Sequence, residues 1–393
     1  MLADLLAWAN MAARWLHVIA GIAWIGSSFY FMWLDASLRA GPDTPKGVQG
    51  DLWAVHGGGF YHKRKYLSVP PDMPAELHWF KWEAYTTWLS GILLLTLIYY
   101  AGASVYLIDP AKLTLSPWQA IGIGTGFLAG GWLVYDALCR WLAHREKLFA
   151  IVWFAVLVAA SWGLTHIFSN RGAFIHMGAL IGTAMVGNVF LVIIPNQRKI
   201  VAAMLAGQPV DPALGKKGKL RSVHNNYMTL AVLFLMVSNH YPMVTDHPLN
   251  WLLIAGIGLS GAVIRHFFNE KNAGRKNPMI LVNGVALFIG VMFFALITTP
   301  KPAEAGVAPA TFPEVQAMIG KHCTACHSAA PTHKGFTAPP NGVAYDTPEQ
   351  IRSYAPRIYQ RAVANHSMPL GNETGMTEEE RARLGAWIKA GAQ

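Results

Sequence analysis

The sequence predicts an all-α protein in two parts: a polytopic eight-helix transmembrane bundle over residues 1–298 and a small all-α domain over 313–393, joined by a linker at 299–312. Three observations predict it. Apolar residues make up 53% of the 393 and charged residues only 13%, about half the share of a soluble domain. Lys and Arg alternate between the segments that separate the apolar runs. Finally, Cys323-Thr-Ala-Cys326-His327 stands near the C-terminus, behind the whole apolar part.

A helix crossing a hydrocarbon core of roughly 30 Å needs about 20 apolar residues. The windows 8–34, 84–103, 118–139, 148–168, 174–194, 224–242, 250–268 and 279–298 qualify, the sixth being the weakest because it starts at His224-Asn225-Asn226. The loops after helices 1, 3, 5 and 7 carry 6, 3, 6 and 3 Lys/Arg, and those after helices 2, 4 and 6 carry 1, 1 and 0. The positive-inside rule then puts both termini outside the cytoplasm. Residues 1–297 hold 22 Lys/Arg against 13 Asp/Glu, and residues 298–393 hold 9 against 8. The net charge of +10 therefore bears on topology rather than on nucleic acid. The first apolar run is long and lacks a basic leader, so it is expected to be a span rather than a cleaved signal. The loop 35–83, with Trp79-Phe80-Lys81-Trp82, reads as a segment packed at the headgroup level or as a lid over substrate.

Residues 299–312 are rich in proline and alanine, as a linker is. Beyond them, Cys-x-x-Cys-His is the attachment sequence of c-type haem, in which Cys323 and Cys326 form thioethers and His327 becomes an axial iron ligand. Haem c is attached outside the cytoplasm, in agreement with the charge pattern. The domain is thus expected to be a class I-type cytochrome c domain, opening with a helix from Pro313 and closing with a helix capped at Thr377. Met368 is the expected sixth ligand, 41 residues after His327 on the loop before the last helix, with His366 as its rival. Cys139 is the one cysteine outside the motif, so neither a disulfide framework nor a zinc site is expected.

One helix is enough to anchor a cytochrome, so the bundle needs a further role. Polar residues within spans are costly and mark functional sites. Helix 1 places Asn10, Arg14, His17, Gly21, Trp24 and Ser28 on one stripe. The threading puts His17, His166, His176 and His240 in the outer half, which allows a bis-histidine haem b or plain hydrogen-bonded histidines. An inner group of Asp136, His144, His224, Asn225, Asn226 and His266 suits protons, substrate or headgroups.

The segments Val55-His56-Gly-Gly-Gly-Phe-Tyr61, Leu77-His-Trp-Phe-Lys-Trp-Glu-Ala-Tyr-Thr-Thr-Trp-Leu-Ser-Gly91 and Ser222-Val-His224-Asn225-Asn226-Tyr227 resemble the membrane-bound urate oxidase (urate hydroxylase) family, in which an eight-helix domain is fused to a cytochrome c. The resemblance covers the whole chain. It implies oxidation of urate to 5-hydroxyisourate in purine degradation, with electrons passing to the fused haem c and on to a terminal oxidase or a soluble cytochrome, at a bacterial inner membrane. The stretch His17 to Gly26 also looks like the first helix of small haem-binding membrane families. For the chemistry, a histidine near neutral pKa suits the base and an arginine or loop lysine suits the urate anion. The candidates are Arg14, His17, His176 and His224, with the substrate expected in the outer half of the bundle or at mid-membrane. The alternatives are a quinol:cytochrome c-type electron-transfer protein with haem b in the bundle, and a transporter or receptor carrying a cytochrome tail.

Overall fold

The computed structural model describes residues 2–70, 73, 76–299, 307–364 and 366–393. Among them, six helices are long and apolar enough to cross a membrane: Trp8–Ser37, Pro117–Trp141, Glu146–Ile167, Asn170–Leu205, Asn250–Asn272 and Pro278–Thr298. We label the helices α1 (Leu2–Ser37), α2 (Trp82–Leu94), α3 (Pro117–Trp141), α4 (Glu146–Ile167), α5 (Asn170–Gly187), α6 (Pro212–Val237), α7 (Asn250–Asn272) and α8 (Pro278–Thr298). The other two expected spans fall on α2 and α6 but do not reach the same length and apolarity. After Leu94, α2 widens into π turns at Leu95–Tyr100 and Ala103–Leu107. The first turns of α6 carry Lys216, Lys217, Lys219 and Arg221.

α5 is the centre of the bundle: 61% of its most apolar window is buried, against 6% for α8. Phe174, Met177, Leu180, Ile181, Ala184 and Met185 pack there against α3, α4 and α6. Beyond Gly187 the helix passes through a π turn, Asn188–Ile193, and continues as Ile194–Leu205. Pro195 accounts for the widening, since it has no N–H to donate and its ring crowds the carbonyl one turn back. Two glycines make room for rings. A Cβ on Gly124 would stand 2.6 Å from His176 Nε2, and one on Gly187 would stand 2.6 Å from the Trp132 ring.

The loop after α1 contains an antiparallel hairpin, β1 (Val48–His56) and β2 (Gly59–Tyr66), with His56 paired to Gly59. Gly57 and Gly58 both have positive φ, as a two-residue type I′ turn requires.

The loops gather by charge. Lys219 of α6 pairs with Asp35 at the end of α1 at 3.2 Å, and Lys65 of the hairpin pairs with the same carboxylate. Arg39 lies against Gly274 in the α7–α8 loop, and Asp136 joins Arg140 to Arg221. The loops after α1, α3, α5 and α7 thus share one end, which we call the basic end. At the other end, Lys112 Nζ donates to the carbonyls of Thr165 and Phe168 and to Asn170 Oδ1, and Asn170 donates to Asp246.

Residues 300–306 of the expected linker lie outside the described residues, and the C-terminal domain packs from Ala310 onward. Helices α9 (Phe312–His322), α10 (Pro348–Ser353) and α11 (Glu378–Lys389) surround Val315, Ile319, Ile351, Leu384 and Trp387. Each starts with a capping box, at Thr311/Glu314, Thr347/Gln350 and Thr377/Glu380. Glu314 also takes two 2.7 Å bonds from Arg383, tying α9 to α11. This bond and those from Thr311 hold the Glu314 carboxyl down to about 2.

Candidate functional site

The C-terminal domain fits the haem that its motif predicts. Cys323 and Cys326 are free thiols. His327 donates from Nδ1 to the Val343 carbonyl at 2.9 Å, which fixes the ring and leaves Nε2 for a metal, as iron-ligating imidazoles require. The Met368 loop is clamped through its backbone: Met368 N–H donates to Arg361 O at 2.9 Å, and Arg381 donates to Met368 O at 2.8 Å and to Asn372 Oδ1 at 3.1 Å. His366 is exposed and stands 3.6 Å from Glu378.

In the bundle, the four histidines expected in the outer half are placed separately. No hydrogen bond or ring contact joins any two of them among the described residues. His17 donates from Nδ1 to Thr87 O at 3.0 Å, between α1 and α2. Arg14 is exposed and bonds Asn10. His166 and His240 are exposed, His166 lying against Trp162. His176 is fully buried: Nδ1 donates to Gly172 O at 2.8 Å and Nε2 accepts from Tyr100 OH at 3.3 Å. With Gly124 closed over Nε2, this packing leaves no space for an iron there, so a haem b does not fit on His176.

His224 is different. On α6, Arg221, His224 and Asn225 recur within about one turn and meet Tyr135 and Asp136 of α3 and Asn188 of the π turn. Arg221 donates to Asp136 at 2.5 Å and to Asn188 Oδ1 at 3.1 Å. Asn188 Nδ2 donates to Tyr135 OH at 2.9 Å and to Asn225 Oδ1 at 2.8 Å. Tyr135, accepting from Asn188, donates to His224 Nδ1 at 2.9 Å. That order fixes the tautomer of a neutral His224, whose proton sits on Nε2. Next to it, Asn226 Oδ1 accepts from Arg265 Nε at 2.9 Å and Asn269 at 3.1 Å, tying α6 to α7. Asn188, Arg221 and Arg265 escape a reading of the sequence. The available signal is that such side chains are costly inside apolar helices and must have partners there.

His224 stacks on Phe149 with ring centroids 4.3 Å apart and lines a cavity of about 920 Å³ between α4, α6 and α7. Its walls are mostly apolar, with Met177 and Ile181 among them. Its polar points are His224, Tyr227 and His266, and Lys147, Lys216, Lys217 and Lys219 stand at its mouth together with one carboxylate, Glu146. Tyr227 OH pairs with His266 Nδ1 at 2.7 Å. A mostly apolar, partly open space with a few convergent polar groups is the usual form of a small-molecule site. It lies toward the basic end rather than among the outer histidines.

A family model for the urate oxidase N-terminal region matches residues 3–296. No curated protein and no solved structure matches the chain. The match spans the whole helical bundle, and the chain belongs to the urate oxidase N-terminal family. Membership points to an oxidoreductase acting on urate.

Proposed function

We propose that this member of the urate oxidase N-terminal family oxidises urate to 5-hydroxyisourate in the cavity beside His224, and that the electrons leave through a haem c on its own C-terminal domain. The observation that carries this is the cavity itself: a lysine mouth, two ring-bearing proton carriers, and the buried Arg221–Asn188–Tyr135 network behind His224, all within the matched residues. The lysines attract the urate anion. His224 presents Nε2–H to a purine carbonyl, held in that tautomer by Tyr135. The Tyr227–His266 pair suits the proton: Tyr227 takes one from substrate as it gives its own to His266. Urate and water give 5-hydroxyisourate, two protons and two electrons, and the electrons leave singly. Haem c, held by Cys323, Cys326, His327 and Met368, supplies a one-electron acceptor when bound.

The surrounding architecture is an eight-helix membrane bundle, with α2 and α6 as the two further spans. The basic end faces the cytoplasm, and both termini and the haem domain face the periplasm of a bacterial inner membrane. A terminal oxidase or a soluble cytochrome takes the electrons onward. Support comes from the loop charges and from their gathering at one end.

The test is anaerobic. Urate added to the purified holoprotein should reduce the haem, and His224→Gln and His266→Ala should each slow that reduction about 10²-fold or more. Rapid reduction by a quinol with none by urate would overturn the proposal in favour of quinol oxidation, which the apolar cavity walls would also suit.

A further inference from the structure

The C-terminal domain is seated on the end of the bundle opposite the basic end, with its main contact on one short segment. The π turn Ala103–Leu107 lies beside Leu370–Asn372, the turn that follows Met368. Gly335, in the loop after the Cys-x-x-Cys-His motif, packs on Val105: a Cβ built on it would stand 3.1 Å from Val105 Cγ2. Cys326 stands within electrostatic range of the Tyr106 phenol. The two segments that flank the haem ligands on the C-terminal domain thus both face the same turn.

That turn is braced from below. Ser169 donates from its hydroxyl to Tyr106 O at 2.6 Å and from its backbone N–H to Leu107 O at 2.8 Å. Tyr106 is the outermost of a run of rings that leads inward. Its centroid lies 6.4 Å from that of Tyr99, which lies 6.5 Å from that of the buried His176. Asn239 donates to Tyr99 OH at 2.9 Å and holds that ring in place. At the other end, Trp132, Tyr135 and His224 form a second run with centroids 6.0 Å apart at each step. Trp132 on α3 is eight residues from Gly124, which abuts His176, so roughly 12 Å of packed helix separates the two runs.

We propose that the turn Ala103–Leu107 is the seat of the haem domain and that Tyr99 and Tyr106 form the electron exit from the bundle to the iron. This rests on the reading of the C-terminal domain as the haem c electron acceptor. The two rings act as the packed medium through which each electron passes. Neither tyrosine is oxidised or loses its proton, one ferric iron becomes ferrous per electron, and the protons stay with the bases at the substrate cavity. Positioning is then what matters, and the ring rather than the hydroxyl of Tyr106 carries the effect.

The seat is tested without turnover. Val105 Cγ2 occupies the place of a cysteine sulfur, and its spacing from Gly335 suits a disulfide. The holoprotein with Val105→Cys and Gly335→Cys should form an intramolecular disulfide, seen as a reductant-reversible shift in gel mobility, and should still accept electrons when crosslinked. No crosslink in a protein with a normal haem spectrum, or a crosslink that blocks haem reduction by urate, overturns the proposal. The exit is tested by single-turnover haem reduction alongside the haem midpoint potential. Tyr106→Ala should slow reduction by about tenfold or more with the potential unmoved, and Tyr106→Phe should recover most of that rate. Equal rates in the wild type and Tyr106→Ala would remove Tyr106 from the route. If urate fails to reduce even the wild-type haem, the functional reading falls, while the disulfide still reports on the seat.

Discussion

The two ends of the bundle are held by different chemistry. At the haem end, Lys112 spends its ammonium on two backbone carbonyls and an asparagine, and Ser169 and Asn250 likewise bond backbone groups. Burial pushes the Lys112 amine down and the nearby Asp246 carboxyl up. At the basic end the ties are ion pairs, Asp136 with Arg140 and Arg221, Asp35 with Lys65 and Lys219, placed around a cavity open to anions. Bonds to backbone carbonyls fix a surface against which another domain can sit. Charged pairs leave a field that a charged substrate can feel. The proposed electron exit and the lysine-lined mouth of the cavity thus stand at opposite ends of the helices.

The comparison breaks most readily at Arg221. It is 6% exposed and bonds both Asp136 and Asn188. Arg221→Leu leaves Asn188 Oδ1 without its donor and Asp136 with the exposed Arg140 alone, and should cost about 3–5 kcal/mol, read as a large fall in thermal stability in detergent. A loss well below about 1 kcal/mol would mean that the network is not structural. At the opposite end, Lys112→Met takes the donor from the Thr165 and Phe168 carbonyls and should cost about 1–3 kcal/mol while leaving the urate KM unchanged. A shifted KM would join the two ends that the structure keeps apart. Lys216→Gln with Lys217→Gln should raise the KM by up to about fivefold at low salt and by much less at high salt, with kcat unchanged. Persistence of the effect at high salt would point to direct contact rather than a field.

The smallest effect belongs to Glu314. Its carboxyl is held far below the ordinary value of 4.5 by Arg383 and the Thr311 cap. A depressed carboxyl contributes stability above its unfolded pKa and loses it as the pH falls from about 4.5 toward about 2. Glu314→Gln should therefore flatten the acid dependence of haem-domain unfolding in that window, with little change in slope elsewhere. An unchanged acid profile would show that the pair forms no net tie between α9 and α11.

What could be read from the sequence differs between these regions for a physical reason. Covalent attachment of haem demands two thiols and an imidazole within five residues, so Cys323, Cys326 and His327 are visible without any fold. Span length is equally local, which is why six of the eight expected spans stand where the apolar windows put them. The hairpin, too, carried a local signal in Gly57-Gly58, flanked by Val48–His56 and Gly59–Tyr66, but its polar strands read as loop. The cavity network draws on α3, α5 and α6, with Tyr135, Asn188 and Arg221 separated by 33 to 86 positions, and no window contains it. Arg221 was counted as a loop charge because it sits at the polar start of α6. Asn188 enters the network from a π turn that precedes Pro195, a local widening that composition does not carry.

Gly124 and Gly187 have a consequence for how such a chain can change over generations. Each glycine is the mould of a ring on another helix, His176 in one case and Trp132 in the other. Shrinking the ring leaves the glycine harmless, whereas enlarging the glycine first drives an atom into the ring. The two positions of each pair are therefore free to drift in only one order. A lineage that keeps His176 is held to glycine at 124, and a lost ring can return only where the glycine is still in place.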